Sequence, residues 1–511
     1  MKPKTSKWFM LVISVSLLMA TVSGSTVGAH AADKQPVTSP ASTIKLAILA
    51  PLTGPVPTFG RSARDGALLA IAQQNASGGI LGMTVEPVTE DTACDATMAV
   101  DATNKVINRD GVRYIIGDVC SSSSIPMSEI TNAAGVIQMT PTATNVQVTV
   151  GTGGQVKEYV FRACFVDTFQ GAAAAWFAHD TLSAQKAFVM LDPNNPYVKG
   201  LADAFEAEFA KSATIVGKEA YTSQDTDFST ILDKVADANP DMVYLPDYYN
   251  IVSLVTKQAK DKGITAPFVG GDGWDSPDLD TAAASGGYFT THLSFEDPRP
   301  EVSAFDQEFR SMYGYAPDTI AAMAYDAAKL LFQAMQEAGT TDTAVVKTKL
   351  AAISFQGVSG SLSYDAYHNP IKSAAMMRVQ ADGVHFYALI PPKKPVPALA
   401  INYSNGSPGS YFTVTGLNYP PNGTGSITIN GHAIAETIAV DGAGGFVFRL
   451  NTAEGNEGRY LVTVSVNPSA TSGFTLDATA PLRPLEGSGS VVAVPSGIAY
   501  TKFVYLPLVR R

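Results

Sequence analysis

The chain has 511 residues, 46% hydrophobic and 16% charged, with a formal net charge of −11. That length and apolar content describe a globular protein too long for one simple domain. The acidic balance argues against nucleic acid or an anionic membrane surface as a partner.

The N-terminus has the order of a secretory signal peptide over residues 1–31. Lys2, Lys4 and Lys7 precede an apolar stretch at 8–20, and small residues lead to Ala29 or Ala31 as cleavage positions. Its removal takes away three lysines and no acid, moving the formal charge from −11 to −14. The apolar stretch is short for a membrane span, and no later one is long enough. Export to the periplasm or cell surface is therefore expected. No cysteine precedes Cys94, so no N-terminal lipid anchor is expected.

From residue 44 strand and helix patterns alternate. An apolar strand at 44–49 runs into Pro51-Leu52-Thr53-Gly54-Pro55. A helix at 63–74 carries Ala67, Leu68 and Ile71 on one face and ends at Gly78-Gly79. A strand at 85–88, a helix at 96–108 and a strand at 112–116 follow. The stretch Gly117-Asp118-Val119-Cys120-Ser121-Ser122-Ser123-Ser124-Ile125-Pro126 then leads into a helix over 125–134. A strand feeding a serine-rich turn and a helix leaves N–H groups and hydroxyls facing one crevice, suited to a small anion such as a carboxylate. The same serines also serve as plain helix caps. A strand at 136–139 completes a βαβα unit with a parallel sheet.

A second run of the same kind begins near residue 170. Helices are expected at 171–181, 197–211, 228–238 and 251–262, and strands at 187–191, 214–216, 242–245 and 268–269. The last strand reaches Gly270-Gly271-Asp272-Gly273-Trp274. Two α/β lobes in series, each with such loops at its strand ends, imply a cleft between them. Helices at 301–313, 318–338 and 343–352 follow, then strands at 360–364 and 375–388. The boundaries expected are a first lobe of 43–165 plus 295–338 and a second of 166–294 plus 339–390.

Beyond this the composition shifts. Residues 391–400 form a proline-rich linker. Short β runs at 411–415, 426–429, 445–450, 460–466 and 473–476, separated by turn residues, describe a small immunoglobulin-like sandwich over 401–480. Residues 481–511 read as a spacer and an apolar tail ending in Arg510-Arg511.

Three cysteines leave one odd. Cys94 and Cys120 each follow an apolar strand, and the ends of adjacent parallel strands could bring them within bonding distance. Closing that loop contributes roughly 3–4 kcal/mol in the chain-entropy account. Cys164 is then left as a small buried hydrophobe. No C-x-x-C metal spacing, G-x-S-x-G elbow, H-E-x-x-H or phosphate-binding G-x-x-x-x-G-K-[ST] occurs. The six histidines are scattered, so neither an enzyme nor a metal or cofactor is expected.

Taken together, Pro51-Leu52-Thr53-Gly54-Pro55 with Phe59-Gly60, Gly78-Gly79-Ile80, Asp91-Thr92-Ala93-Cys94-Asp95, Cys120-Ser121-Ser122-Ser123-Ser124, Thr140-Pro141-Thr142-Ala143-Thr144 and Gly270-Gly271-Asp272-Gly273 resemble, in this order, the branched-chain amino-acid-binding proteins of bacterial ABC importers. The resemblance, of the leucine-isoleucine-valine type, covers 44–390 and not the C-terminal region. It implies two doubly wound lobes joined by three hinge crossovers, a Cys94–Cys120 disulfide, and a monomer that captures a small amino acid and delivers it to ABC permease membrane subunits.

The resemblance also assigns roles. Ser121 would hold the ligand's α-carboxylate, and Thr142 and Thr144 would offer backbone and hydroxyl groups to carboxylate and ammonium. Asp272 would face the ammonium, an aspartate where the leucine binders have glutamate. Tyr197 and Tyr248 would touch the ligand after closure, and Phe59 would lie at its side-chain end. Trp274 matches no family role, but its place beside the ammonium position suits a wall of the side-chain pocket. The plainer readings are Ser121 as a cap, Asp272 as a turn residue, the tyrosines as surface aromatics and Phe59 as core. Two other functions fit the same chain: a binder of amides, urea or aromatic acids, and a surface sensory or adhesive protein that uses its sandwich.

Overall fold

The computed structural model describes residues 43–392, 397–419, 423–441, 444–466, 469–487 and 489–500. The expected signal peptide, residues 393–396 of the proline-rich linker and the apolar tail after residue 500 lie outside the described residues.

The first lobe is built on a five-stranded parallel sheet, β1 (Thr43–Ala50), β2 (Thr84–Asp91), β3 (Tyr114–Gly117), β4 (Ile137–Thr140) and β5 (Val160–Arg162), in the order β2-β1-β3-β4-β5. Its helices are α1 (Pro57–Ala76), α2 (Ala96–Asn108) and α3 (Ser121–Ala134). Strands β3 to β5 are buried throughout, as parallel strands covered on both faces must be. Asp95 caps α2 by accepting from the amides of Thr97 and Met98, each at 2.9 Å.

The serine run does not cap α3. Cys120 is the N-cap, its amide held by Asp118 Oδ1 at 2.6 Å, and the helix starts four residues earlier than expected, at Ser121. The serines occupy its first turn and fold back on the chain, with Ser124 Oγ donating to Asp118 O at 2.9 Å. Cys94 and Cys120 form the disulfide, their Cα atoms 5.6 Å apart, and Cys164 is free and buried.

The second lobe carries α4 (Asp167–Asp180), β6 (Lys186–Leu191), α5 (Pro196–Phe209), β7 (Thr214–Ala220), α6 (Ser229–Ala238), β8 (Met242–Tyr244), α7 (Tyr249–Asp261), β9 (Phe268–Gly270) and β10 (Tyr288–Thr291). The chain returns to the first lobe through α8 (Pro300–Tyr313), α9 (Thr319–Ala338), α10 (Thr343–Ala351), β11 (Phe355–Gly357) and β12 (Gly360–Leu362). It then crosses a third time to add the hairpin β13 (Ala374–Gln380) and β14 (Gly383–Ile390) to the second sheet, ordered β14-β13-β10-β9-β8-β6-β7. This hairpin replaces the single strand expected at 375–388.

The packing also divides the stretch 339–390 that was assigned whole to the second lobe. Helix α10 lies on α9, and Thr343 Oγ1 donates to Gly135 O at 2.7 Å, so only β13 and β14 join the second sheet. Helix α9 crosses α1 closely enough that a Cβ on Gly66 would stand 2.0 Å from Ala321 O, a contact only glycine permits.

The C-terminal region is all β. Its strands are β15 (Ala398–Ile401), β16 (Asn405–Gly406), β17 (Tyr411–Leu417), β18 (Thr424–Ile429), β19 (His432–Ala439), β20 (Phe446–Asn451), β21 (Gly458–Ser465), β22 (Ser469–Leu476) and β23 (Ser490–Ala493). They form two mostly antiparallel sheets, β15-β17-β20-β23 and β16-β22-β21-β18-β19, whose inner faces share a core around Phe412, Phe448, Tyr460 and Phe474. Residues bury alternately along β17, the period-two pattern of a strand with one face inward. Strands β15 and β23 extend this region beyond 401–480 on both sides. Both are short and largely exposed, which is why their pattern is faint in the sequence.

Candidate functional site

The C-terminal ends of both parallel sheets face one cleft, the place where doubly wound sheets present their loops. A cavity lies there, spanning about 340 Å3 that includes space open to solvent. The first lobe lines it with Phe59 from α1, Val119 after β3, Thr142 after β4, and Thr319 and Ile320 from the start of α9. The second lobe supplies Tyr197 from α5, Tyr248 after β8, Asp272, Gly273 and Asp275 after β9, and Thr291 and His292 at the end of β10.

The lobes are closed on one another. The Phe59 ring meets Tyr248 edge-on at 5.8 Å and Tyr249 at 5.1 Å, and Asn145 Nδ2 donates to Pro196 O at 2.8 Å. The Thr58 and Thr319 hydroxyls cross to Asp278 and Asp275.

Asp272 is the centre of the second-lobe half. Its Oδ1 accepts from Gln170 Nε2 at 2.9 Å and Tyr197 Oη at 3.0 Å, and its Oδ2 pairs with His292 Nε2 at 3.0 Å. Burial, the dominant influence, holds the His292 imidazole below its ordinary pKa while the contact with Asp272 opposes it. At neutral pH the ring is therefore uncharged and donates Nε2–H to the carboxylate. Tyr197 Oη in turn accepts from Gly273 N at 2.7 Å, and its ring stacks on Tyr248 at 5.0 Å. Burial pushes both phenols well above their usual pKa. A Cβ on Gly273 would meet Asp247 O at 2.7 Å, so the turn that presents Asp272 depends on glycine there. Asp275 is also raised by burial, against the hydroxyls of Thr291 and Thr319 that donate to it.

The first-lobe half offers donors. The first turn of α3 has amides that no helical carbonyl can satisfy, at the end of the helix that favours negative charge. Ser121 Oγ accepts from Asn145 N at 3.3 Å, tying that turn to the loop after β4, and Thr142 Oγ1 donates to Val119 O at 3.3 Å. Beneath the turn, burial raises Asp118 to about 7.

Of the residues named from the sequence, Phe59, Thr142, Tyr197, Tyr248 and Asp272 line one cavity. Ser121 is buried and does not line it. Thr144 is fully buried and does not line the cavity. Trp274 does not shape the cavity: it packs in the second-lobe core against Phe289, with its indole N–H on Leu245 O at 2.9 Å. The sequence reading missed His292, Thr291, Asp275, Thr319 and Ile320. The available signal was the apolar stretch Tyr288–Thr291 ending in threonine and histidine, a strand end in a fold that binds at strand ends.

A carboxylate held by a hydroxyl, an amide and a neutral imidazole, in a cleft lined on its other side by Val119, just before the start of α3, suits a small zwitterion. Two lobes, three crossovers and this cavity define a solute receptor that closes around its ligand. The chain belongs to the periplasmic binding protein family, whose model matches residues 43–384; this family is one of receptors rather than enzymes. The leucine-, isoleucine-, valine-, threonine- and alanine-binding protein of Pseudomonas aeruginosa is 32% identical over 328 residues, 64% of this chain and 86% of that protein. The solved leucine-binding protein LivK of Thermotoga maritima is 33% identical, with a TM-score of 0.65 over 68% of this chain and 99% of its own. LivJ, the branched-chain amino-acid transporter substrate-binding protein of Streptococcus pneumoniae solved with isoleucine, is 30% identical, with a TM-score of 0.63 over 68% and 99%.

Proposed function

We propose that this protein is the extracytoplasmic receptor of an ABC importer, capturing leucine, isoleucine or valine between its lobes and presenting the closed form to the permease as a monomer. The observation that carries this is Asp272: a carboxylate at the cavity wall, held on both oxygens, across the cleft from Val119 and Thr142 of the first lobe. Ser121 and the Thr142–Thr144 loop take the ligand carboxylate, Asp272 the ammonium, and Phe59, Val119 and Ile320 the aliphatic side chain. Tyr197 and Tyr248 complete the wall on closure. The leucine-binding relatives support the ligand class, and the family supports export and delivery to a permease.

An aromatic acid or an amide without an ammonium group would leave Asp272 with no cation to pair, which disfavours that reading. The experiment is isothermal titration of the mature protein with leucine, isoleucine and valine, alongside benzoate and urea. Tight binding of the amino acids is expected. Binding confined to benzoate or urea would keep the fold and refute the ligand.

A further inference from the structure

Arg162, the last residue of β5, is completely buried without a counter-ion. Its Nη1 donates to Ala143 O at 3.0 Å, and its Nη2 to Asn145 O at 2.8 Å and Thr149 Oγ1 at 3.2 Å; Nε has no partner. Among the described residues no carboxylate lies within ion-pair distance of it. The nearest acids by influence are Asp167 and Asp365, with the Cys164 thiol beside them. Burial pushes Asp167 up to about 7 and the thiol up to about 12, and Asp365 stands partly exposed and beyond ion-pair distance. A buried guanidinium in this state is costly unless something else balances it.

The two carbonyls it holds belong to the loop that lines the carboxylate end of the cleft. The Ala143–Thr144 peptide is trans, so with its C=O fixed on Arg162 the Thr144 N–H points the opposite way. That amide is paired with no backbone carbonyl in the loop. A cation bonded to the oxygen of a peptide polarises the whole unit and strengthens its N–H as a donor. The Asn145 amide already bonds Ser121 Oγ, so both amides of this loop are directed rather than free to turn.

We infer that Arg162 is the electrostatic positioning residue of the carboxylate subsite, its charge reaching the ligand's α-carboxylate through the Ala143–Thr144 peptide, whose N–H the ligand takes up. The inference rests on the amino-acid reading above. The ligand thus brings a negative charge toward a guanidinium that has no ion-pair partner among the described residues, and recognition of the carboxylate does not need a cation in the cavity itself.

The test compares leucine with leucinamide, which keeps the ammonium and the side chain but has no carboxylate. In Arg162→Gln the leucine affinity should fall at least about tenfold, the size of one charge-assisted hydrogen bond, while leucinamide changes by less than about threefold. Arg162→Lys should recover part of the leucine loss. Equal losses for the two ligands would reduce Arg162 to a structural role and overturn the inference. If Arg162→Gln does not fold, the wild-type protein decides by NMR with threonine labelled with nitrogen-15. The Thr144 amide proton should move downfield with leucine and not with leucinamide, and a Thr144 amide indifferent to leucine overturns the inference. A wild-type protein that binds neither ligand refutes the amino-acid reading instead.

Discussion

Replacing Asp272 by asparagine removes one charge and almost no volume. The oxygen of the new amide can keep the Oδ1 position and accept from Gln170 and Tyr197, which places its NH2 toward His292. His292 Nδ1 has no partner, so the ring can move its proton there and accept from the NH2 at Nε2. The interior therefore tolerates the change, and the folding loss should stay near the worth of one neutral hydrogen bond, about 1 kcal/mol. The ligand's ammonium has no such remedy. Losing the charged partner of a desolvated pair costs about 2–5 kcal/mol, which weakens leucine binding roughly 30- to 5000-fold. Calorimetry with leucine and with 4-methylpentanoate, which lacks the ammonium, separates the two contributions. Leucine should weaken steeply in the variant, 4-methylpentanoate should not weaken, and the melting temperature should fall by only a few degrees. Leucine binding within about threefold of wild type, with the fold intact, would refute the placement of the ammonium at Asp272.

Four further outcomes follow from other parts of the structure. Replacing Cys94 and Cys120 by serine opens a link between residues 26 apart and should lower stability by about 3.5 kcal/mol in the chain-entropy account, read from denaturant melts against the oxidised protein. Burial raises Asp118, Asp167 and Asp318 to about 7 and Asp247 to about 6, all above the 3.8 of a free carboxyl. The folded chain thus binds these protons more tightly than the unfolded chain, and stability falls as pH rises from about 4 through 7. The melting temperature should be higher at pH 5.5 than at pH 8, and the gap should shrink in Asp318→Asn, which can still cap α9. Asp278→Ala removes the bond to Thr58 across the cleft; affinity should fall about fivefold with the unliganded melting temperature unchanged, and an unchanged affinity would deny that contact a part in closure. Removing residues 397–511 deletes a region with its own core and should leave leucine affinity within about twofold of the full chain, whereas lost binding would give the β region a share in the site.

The lobes were legible because parallel strands buried on both faces read as apolar runs, β3 and β9 ending in glycine, and these runs recur at the spacing of βαβ units. Helix α2 falls at 96–108 in both readings, since Asp95 announces its start. Legibility failed where packing overrode local pattern. The serine run looked like a cap, but Asp118 takes that place through the Cys120 amide. Trp274 stands two residues from Asp272, yet the short helical turn Asp272–Trp274 swings its ring onto the back of the sheet. His292 and Thr319 carry no motif at all. They become site residues because two crossovers of the chain end beside the cavity, a fact of long-range topology.

The hydrogen bonds of the site divide by lobe, and this bears on how it works. Asp272, Gln170, Tyr197, His292 and Gly273 bond one another within the second lobe, so the ammonium half is complete before closure. In the first lobe Arg162, Ser121 and the 142–145 loop are likewise tied together, and the second lobe adds the Asp167 amide, which donates to Thr144 O at 2.9 Å. Few polar contacts pass between the lobes, chiefly Thr319 to Asp275, Thr58 to Asp278 and Asn145 to Pro196. Each half is pre-organised, so the free energy of binding is not drawn down by ordering the site. What the ligand must change is the hinge angle alone. A zwitterion touching both halves favours the closed form by its differential affinity for that form, and one touching a single half cannot.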